Sequence, residues 1–289
     1  MTSVVRAPVV AGRFYPSDSD RLFRDIRDYT SPPQSRISAI GCVVPHAGYI
    51  YSGHVAGAVY ARVDIPEHCI VLCPNHTGRG VPLSIMSATA WRTPLGEVAP
   101  STELASRLLR RFPALEEDSA AHGGEHGIEV QLPFLQAQQK NLHIVPIAVG
   151  TSDYRVLREL GEAMAEVIGD VGGDVGGDVV GAAGGESDRA ARKIFMIASS
   201  DMNHYEPDSI THVKDRLAIE RVLALDARGL WEVVMREDIS MCGFGPTVAM
   251  LTAAKILGAT QATLVRYATS GDVSGDRESV VGYAGITVE

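Results

Sequence analysis

Three histidines stand just beyond three apolar runs: His46 ends "GCVVPH", His76 follows "IVLCPN" and His204 closes "MIASSDMNH". Imidazole binds iron, zinc and copper and titrates near neutral pH, so its position relative to a strand end matters. Loops leaving the carboxyl ends of parallel strands share one edge of an open sheet, where ligands bind. Pro45 and Pro74 fix the chain just before the first two turns. Three imidazoles delivered to one edge can therefore converge. A metal site with open positions needs about three protein donors. His46 and His76 supply two. The third is Asp201, giving the two-histidine, one-carboxylate set of non-haem iron, or Cys242, giving a softer site suited to copper or zinc. Spacing alone does not choose between them. His204, on the same loop as Asp201, then fits as an acid or base.

The stretch "HGGEHGIEVQLPF" places His126 and Glu129 near a helix start, with His122 just before it. A histidine cation is disfavoured at a helix amino terminus, so His126 is expected neutral, as a ligand or hydrogen-bond partner. A plain helix cap by His126 and Glu129 is the alternative. His54, His68, His143 and His212 have no companion motif and are read as structural or solvated. Of the four cysteines, Cys42, Cys69 and Cys73 lie in apolar runs, whereas Cys242 lies in the turn-like "SMCGFGPT". There is no CxxC pair, and a disulfide framework is not expected.

The elements that must position these residues follow from hydrophobic patterning. "AIGCVV" (39 to 44), "CIVLC" (69 to 73), "HIVPIAVG" (143 to 150) and "KIFMIASS" (193 to 200) are apolar throughout, as strands covered on both faces are. Helical patterns run over 103 to 112, 128 to 140, 154 to 169 and 247 to 258. The alternation predicts a three-layer αβα domain around a largely parallel or mixed sheet. "ATLVRYATSG" and "SVVGYAGITVE" read as a closing hairpin. Residues 169 to 191, which repeat Gly-Gly-Asp-Val, read as a flexible Gly/Asp-rich insertion within one domain spanning 1 to 289.

The chain has 289 residues, 45% hydrophobic and 21% charged, with a formal net charge of -9. No basic run is present of the kind that binds phosphate backbones, so nucleic acid is not an expected partner. No signal peptide and no apolar run of about 18 residues is seen, so the expectation is a cytoplasmic protein without a membrane span.

The motifs "RAPVVAGRFYPSD", "VPHAGYIYSGHVAGAVYA", "LCPNHTGRG", "RTPLGEV", "EHGIEVQLPFLQ", "PIAVG", "IASSDMNHY" and "CGFGPTVAML" occur in the order of the Memo family. The chain resembles that family over nearly its whole length, including prokaryotic members called AmmeMemoRadiSam system protein B. The family is similar in fold to class III extradiol, LigB-like, dioxygenases. The resemblance implies one bound metal ion, Fe(II) or copper ahead of zinc, held by His46, His76 and Cys242. Asp201, His204 and His126 would line the same pocket, with His204 as the acid-base group. A glutamate holds the third ligand position in the dioxygenases. A cysteine there implies a metal-dependent oxidoreductase other than a standard ring-cleaving enzyme. The resemblance also implies a small-molecule substrate, or an anionic peptide bound by a non-catalytic version of the cleft. AMMECR1-like and radical SAM proteins are the implied partners.

Overall fold

The structure is a computed structural model that describes residues 5–32, 35–173 and 194–289. Its centre is five parallel strands in the order β6 (Gly96–Pro100), β8 (His143–Val149), β3 (His68–Pro74), β9 (Ile194–Ser199) and β2 (Gly41–Val44). Apart from the leading His68 and His143, every residue of β2, β3, β8 and β9 is buried. The apolar runs are thus the inner strands of the sheet.

Side chains along these strands alternate between two cores, as the two-residue strand period requires. Val43, Ile70, Leu72, Val145, Ile147, Met196 and Ala198 face one core, which is closed by α3 (Thr102–Arg111), α5 (Tyr154–Gly173), α6 (Asp208–Leu223), α7 (Ala227–Arg236) and α8 (Phe244–Ile256). Cys42, Val44, Cys69, Val71, Cys73, Phe195 and Ile197 face the other, closed by α1 (Ser19–Tyr29), α2 (Tyr49–Arg62) and α4 (Leu132–Gln138). This is the expected αβα sandwich, with a mixed sheet. Three of the four cysteines are core residues and all four are free.

The sheet extends on both sides. Beyond β2, β12 (Val280–Val288) runs antiparallel and pairs in turn with β11 (Ala262–Thr269) and β10 (His204–Glu206). The expected closing hairpin is β11–β12, joined through the short α9 (Gly271–Ser274). On the other side β5 (Ala90–Thr93) pairs with β6 and with β1 (Val5–Arg6), while β4 (Leu83–Ile85) pairs with β8 and β7 (Glu116–Glu117).

The stretch after His46 reads as a glycine-rich turn, yet it opens α2 at Tyr49. The glycines serve helix packing: a Cβ on Gly57 would lie 2.6 Å from the Tyr29 carbonyl oxygen, so α1 and α2 meet only because Gly57 has none. Helix α5 continues to Gly173, so the first five residues of the 169 to 191 stretch are helical. Residues 174 to 191 lie outside the described residues. Among the described residues, no helix is long and apolar enough to cross a membrane.

Candidate metal centre

The carboxyl ends of β2 and β3 deliver His46 and His76 to one edge, as expected, and the third imidazole there is His126. One ring nitrogen from each lies within 4.8 Å of the other two. The His46 ring stands nearly perpendicular to those of His76 and His126, at centroid distances of 5.0 and 5.3 Å, while His76 and His126 stack at 4.6 Å. Exposure is graded: His46 is buried, His126 half-buried, and His76 stands at the mouth.

Hydrogen bonds decide which nitrogen each ring offers. The single Ser199 hydroxyl proton is donated to the Gly127 carbonyl at 2.6 Å. Ser199 Oγ therefore accepts from Gln131 Nε2 and from His46 Nδ1, both at 2.9 Å. Gln131 is itself oriented by Tyr60, whose hydroxyl donates to its Oε1, and by the Pro45 carbonyl that accepts from its Nε2. With Nδ1 protonated, His46 presents a lone pair at Nε2. His76 is fixed by a carboxylate: its Nδ1–H donates to Glu125 Oε1 and its backbone N–H to Oε2, each at 2.8 Å. Its Nε2 is thereby left free. A histidine whose second nitrogen is tied to a carboxylate or hydroxyl is the arrangement metal-binding imidazoles need.

Glu125 is fully buried and also accepts the backbone N–H groups of His126 and Gly127, at 2.8 Å each. Burial pushes its carboxyl up, but the His76 hydrogen bond and charge, the Gly127 N–H and His126 outweigh it and bring the pKa down to about 2. The histidines move the opposite way to a cation. Burial, then the neighbouring His76, lowers His46 to about 3, and burial followed by His46 lowers His126 to about 4. Both are neutral, the state that ligates. The neutrality expected of His126 is present, but burial causes it rather than a helix terminus, since α4 starts only at Leu132, after the 3-10 turn Glu129–Gln131.

The remaining candidates divide. Cys242 Sγ lies 3.2 Å from His46 Nε2 and 3.7 Å from the Asp201 carbonyl oxygen. Donors about 2.0 to 2.3 Å from a tetrahedral ion are roughly 3.5 Å apart, so the thiol is within reach of an ion that His46 binds. Cys242 is not part of the three-imidazole group. Burial and the Asp201 charge push its thiol well up. Asp201 supports from behind: Oδ1 accepts the His46 backbone N–H at 2.7 Å, and burial raises its pKa. His204 sits on β10, its Nδ1–H donated to the Ser240 carbonyl at 2.8 Å and its backbone N–H to Ser240 Oγ at 2.7 Å, which leaves Nε2 as the other ring nitrogen, not bonded to Ser240.

Glu129 is no free base. It holds Arg6 at 2.7 Å and accepts from Val9 N, Val10 N and the Tyr15 hydroxyl, tying the amino-terminal segment to the His126 loop. Arg6 also donates to the carbonyls of His122 and Glu125. His122 is buried away from the centre against Trp91, with their ring centroids 5.9 Å apart.

A scan against family models matches residues 6–287 to the family described as Memo-like protein. The chain belongs to the Memo-like family. MEMO1 family proteins of Methanopyrus kandleri and Ignicoccus hospitalis are 41% and 42% identical to it, covering 97% and 98% of this chain and 98% of their own lengths. One from Methanocaldococcus jannaschii is 40% identical over 99% of both chains. In this Memo-like protein the motif "EHG" contributes two site residues, of which sequence reasoning singled out only His126. Glu125, Ser199 and Gln131 were missed, because each acts by fixing a neighbour across the fold rather than by facing the cleft.

Proposed function

We propose that this Memo-like protein holds one metal ion through His46, His76 and His126, with Cys242 as a further donor, and works as an oxidoreductase-type metal centre. The observation that carries the reading is the pair of locked Nδ1–H groups, on Ser199 and on Glu125, which leave His46 and His76 with lone pairs beside a third neutral imidazole. Bound there, an ion would supply Lewis acidity and, for iron or copper, electron transfer.

The chain's own groups handle protons. His204 Nε2 is positioned to take or return one at the mouth, since Ser240 fixes its other nitrogen. Asp201, with its raised pKa and its hold on the His46 backbone, keeps that loop in place and can carry a proton itself. The half-exposed side of His76 leaves room for a small molecule to approach.

Binding of an anionic peptide without metal fits less well. An ionised Glu125 and imidazole lone pairs offer an anion negative potential and few donors.

The test is elemental analysis after anaerobic reconstitution with Fe(II), Cu(I) or Zn(II), on wild type and on His46→Ala, His126→Ala and Cys242→Ala. Near-stoichiometric metal in the wild type, lost in His46→Ala and His126→Ala and weakened in Cys242→Ala, supports the reading. Retention of metal in His46→Ala overturns it. Ring cleavage of a catechol is tested separately, by a yellow ring-opened product with Fe(II)-loaded protein.

A further inference from the structure

Tyr205 combines two features that stability alone does not explain. Its backbone has φ 60°, in the left-handed region where an L side chain crowds its own carbonyl. Its side chain is 78% exposed, the most exposed large hydrophobic residue among the described residues. A glycine would sit there without strain, and the ring gains little from burial. The strand pairing shows how this comes about. His204 opposes Val281 and Glu206 opposes Val280, so two steps along β10 match one along β12 and Tyr205 is the extra residue of a bulge. Bulges of this kind re-aim a side chain, and strained residues collect at ligand sites.

The ring packs against that of His204. It lies 5.6 Å from the His204 ring, at 60° to it. The first turn of α2 carries the exposed Ile50 and Tyr51, four and five residues after His46. The hydroxyl of the buried Tyr283 is pushed up by burial and then by Asp201, Tyr51 and Tyr205, so all three lie within electrostatic reach of it.

We infer that Tyr205 is a ligand-contacting, specificity-determining residue: the bulge holds its ring as one wall of the mouth, where it stacks on the flat apolar portion of a ligand whose oxygen donors reach the metal centre. The inference rests on the metal-centre reading for the position of those donors. Stacking on one ring face is worth roughly three- to tenfold in affinity. It also separates flat rings from puckered ones of the same size.

The experiment titrates phenylacetate, cyclohexylacetate and acetate into Zn(II)-loaded and metal-free protein by calorimetry, with thermal unfolding and elemental analysis of the same samples. Wild type should prefer phenylacetate to cyclohexylacetate. Tyr205→Gly should lose about fivefold for phenylacetate alone, while its Tm rises by roughly 2 °C as the left-handed strain is relieved. Tyr205→Phe should keep the preference, since the ring and not the hydroxyl makes the contact. Unchanged phenylacetate affinity in Tyr205→Gly overturns the inference, as does a Tm that falls together with the affinity. Absence of metal in the zinc-loaded wild type counts against the metal-centre reading instead, and the Tyr205 inference then stands or falls on the same titrations of the metal-free protein.

Discussion

Glu125→Gln is the sharpest perturbation of the centre, because it changes one atom in a fully buried group. The carboxylate accepts four N–H groups at 2.8 Å: His76 Nδ1, His126 N and Gly127 N at Oε1, and His76 N at Oε2. A glutamine that keeps its oxygen at the Oε1 position must point its NH2 at the His76 backbone N–H. Two buried donors then face each other, and turning the amide over would set it against three. One such mismatch costs about 1–3 kcal/mol, and losing the charge on the three remaining bonds adds about 1 kcal/mol. A total near 3 kcal/mol lowers Tm by roughly 6–12 °C for a chain of this size. His76 also loses the carboxylate that fixes its tautomer, so metal affinity should fall about 10- to 100-fold. Calorimetry of the metal-free protein and competition against a chromophoric chelator measure the two effects. Glu129→Gln is the control: it removes the charge that holds the buried Arg6 at 2.7 Å and should cost as much stability, yet lower metal affinity less than Glu125→Gln does, since it loosens the His126 loop but leaves His76 Nδ1 fixed. A Glu125→Gln variant with wild-type metal affinity would refute the assignment of Glu125 as the residue that orients His76.

Other consequences follow from the same geometry. The buried His46 and His122 and the half-buried His126, all neutral, with folded pKa values near 3, 4 and 4 against about 6.5 unfolded, stabilise fully above pH 6.5 and lose that contribution as pH falls. At pH 5.5 the three together cost about 4 kcal/mol, and Asp215, raised to about 7 chiefly by burial, returns about 2 kcal/mol because it is favoured in its protonated form. Tm of the metal-free protein should therefore drop by roughly 5 °C between pH 7.5 and 5.5, and an equal or higher Tm at pH 5.5 would contradict the neutral-histidine picture. Gly243→Ala would put a Cβ 2.4 Å from the Ser199 carbonyl oxygen and from Ser200 Cβ, so the Cys242 turn must shift; metal affinity should fall at least as far as in Cys242→Ala, checked by the same chelator competition. Gly57→Ala drives α2 off Tyr29 and should lower Tm by roughly 5 °C or more without changing metal stoichiometry.

The strands β2, β3, β8 and β9 could be read from the sequence because each is a continuous apolar run, and a run of that length buried on both faces is fixed by local composition alone. His46 and His76 were legible for the same reason: a strand end followed by a proline-led turn places them at the sheet edge whatever the rest of the chain does. Helix α2 was not, since the glycines that read as a turn are there for contact with Tyr29, a residue from another helix. Nor was the membership of the metal group. His126 joins His46 and His76 only because its loop is held over the sheet edge by Arg6 to Glu129 and by Gln131 to Pro45 and Ser199, bonds spanning 123, 86 and 68 residues. The sequence by itself determined the layers and two of the imidazoles. Tertiary structure decided the third imidazole, the tautomers and the place of Cys242, because those depend on which distant groups meet, and periodicity carries no information about that.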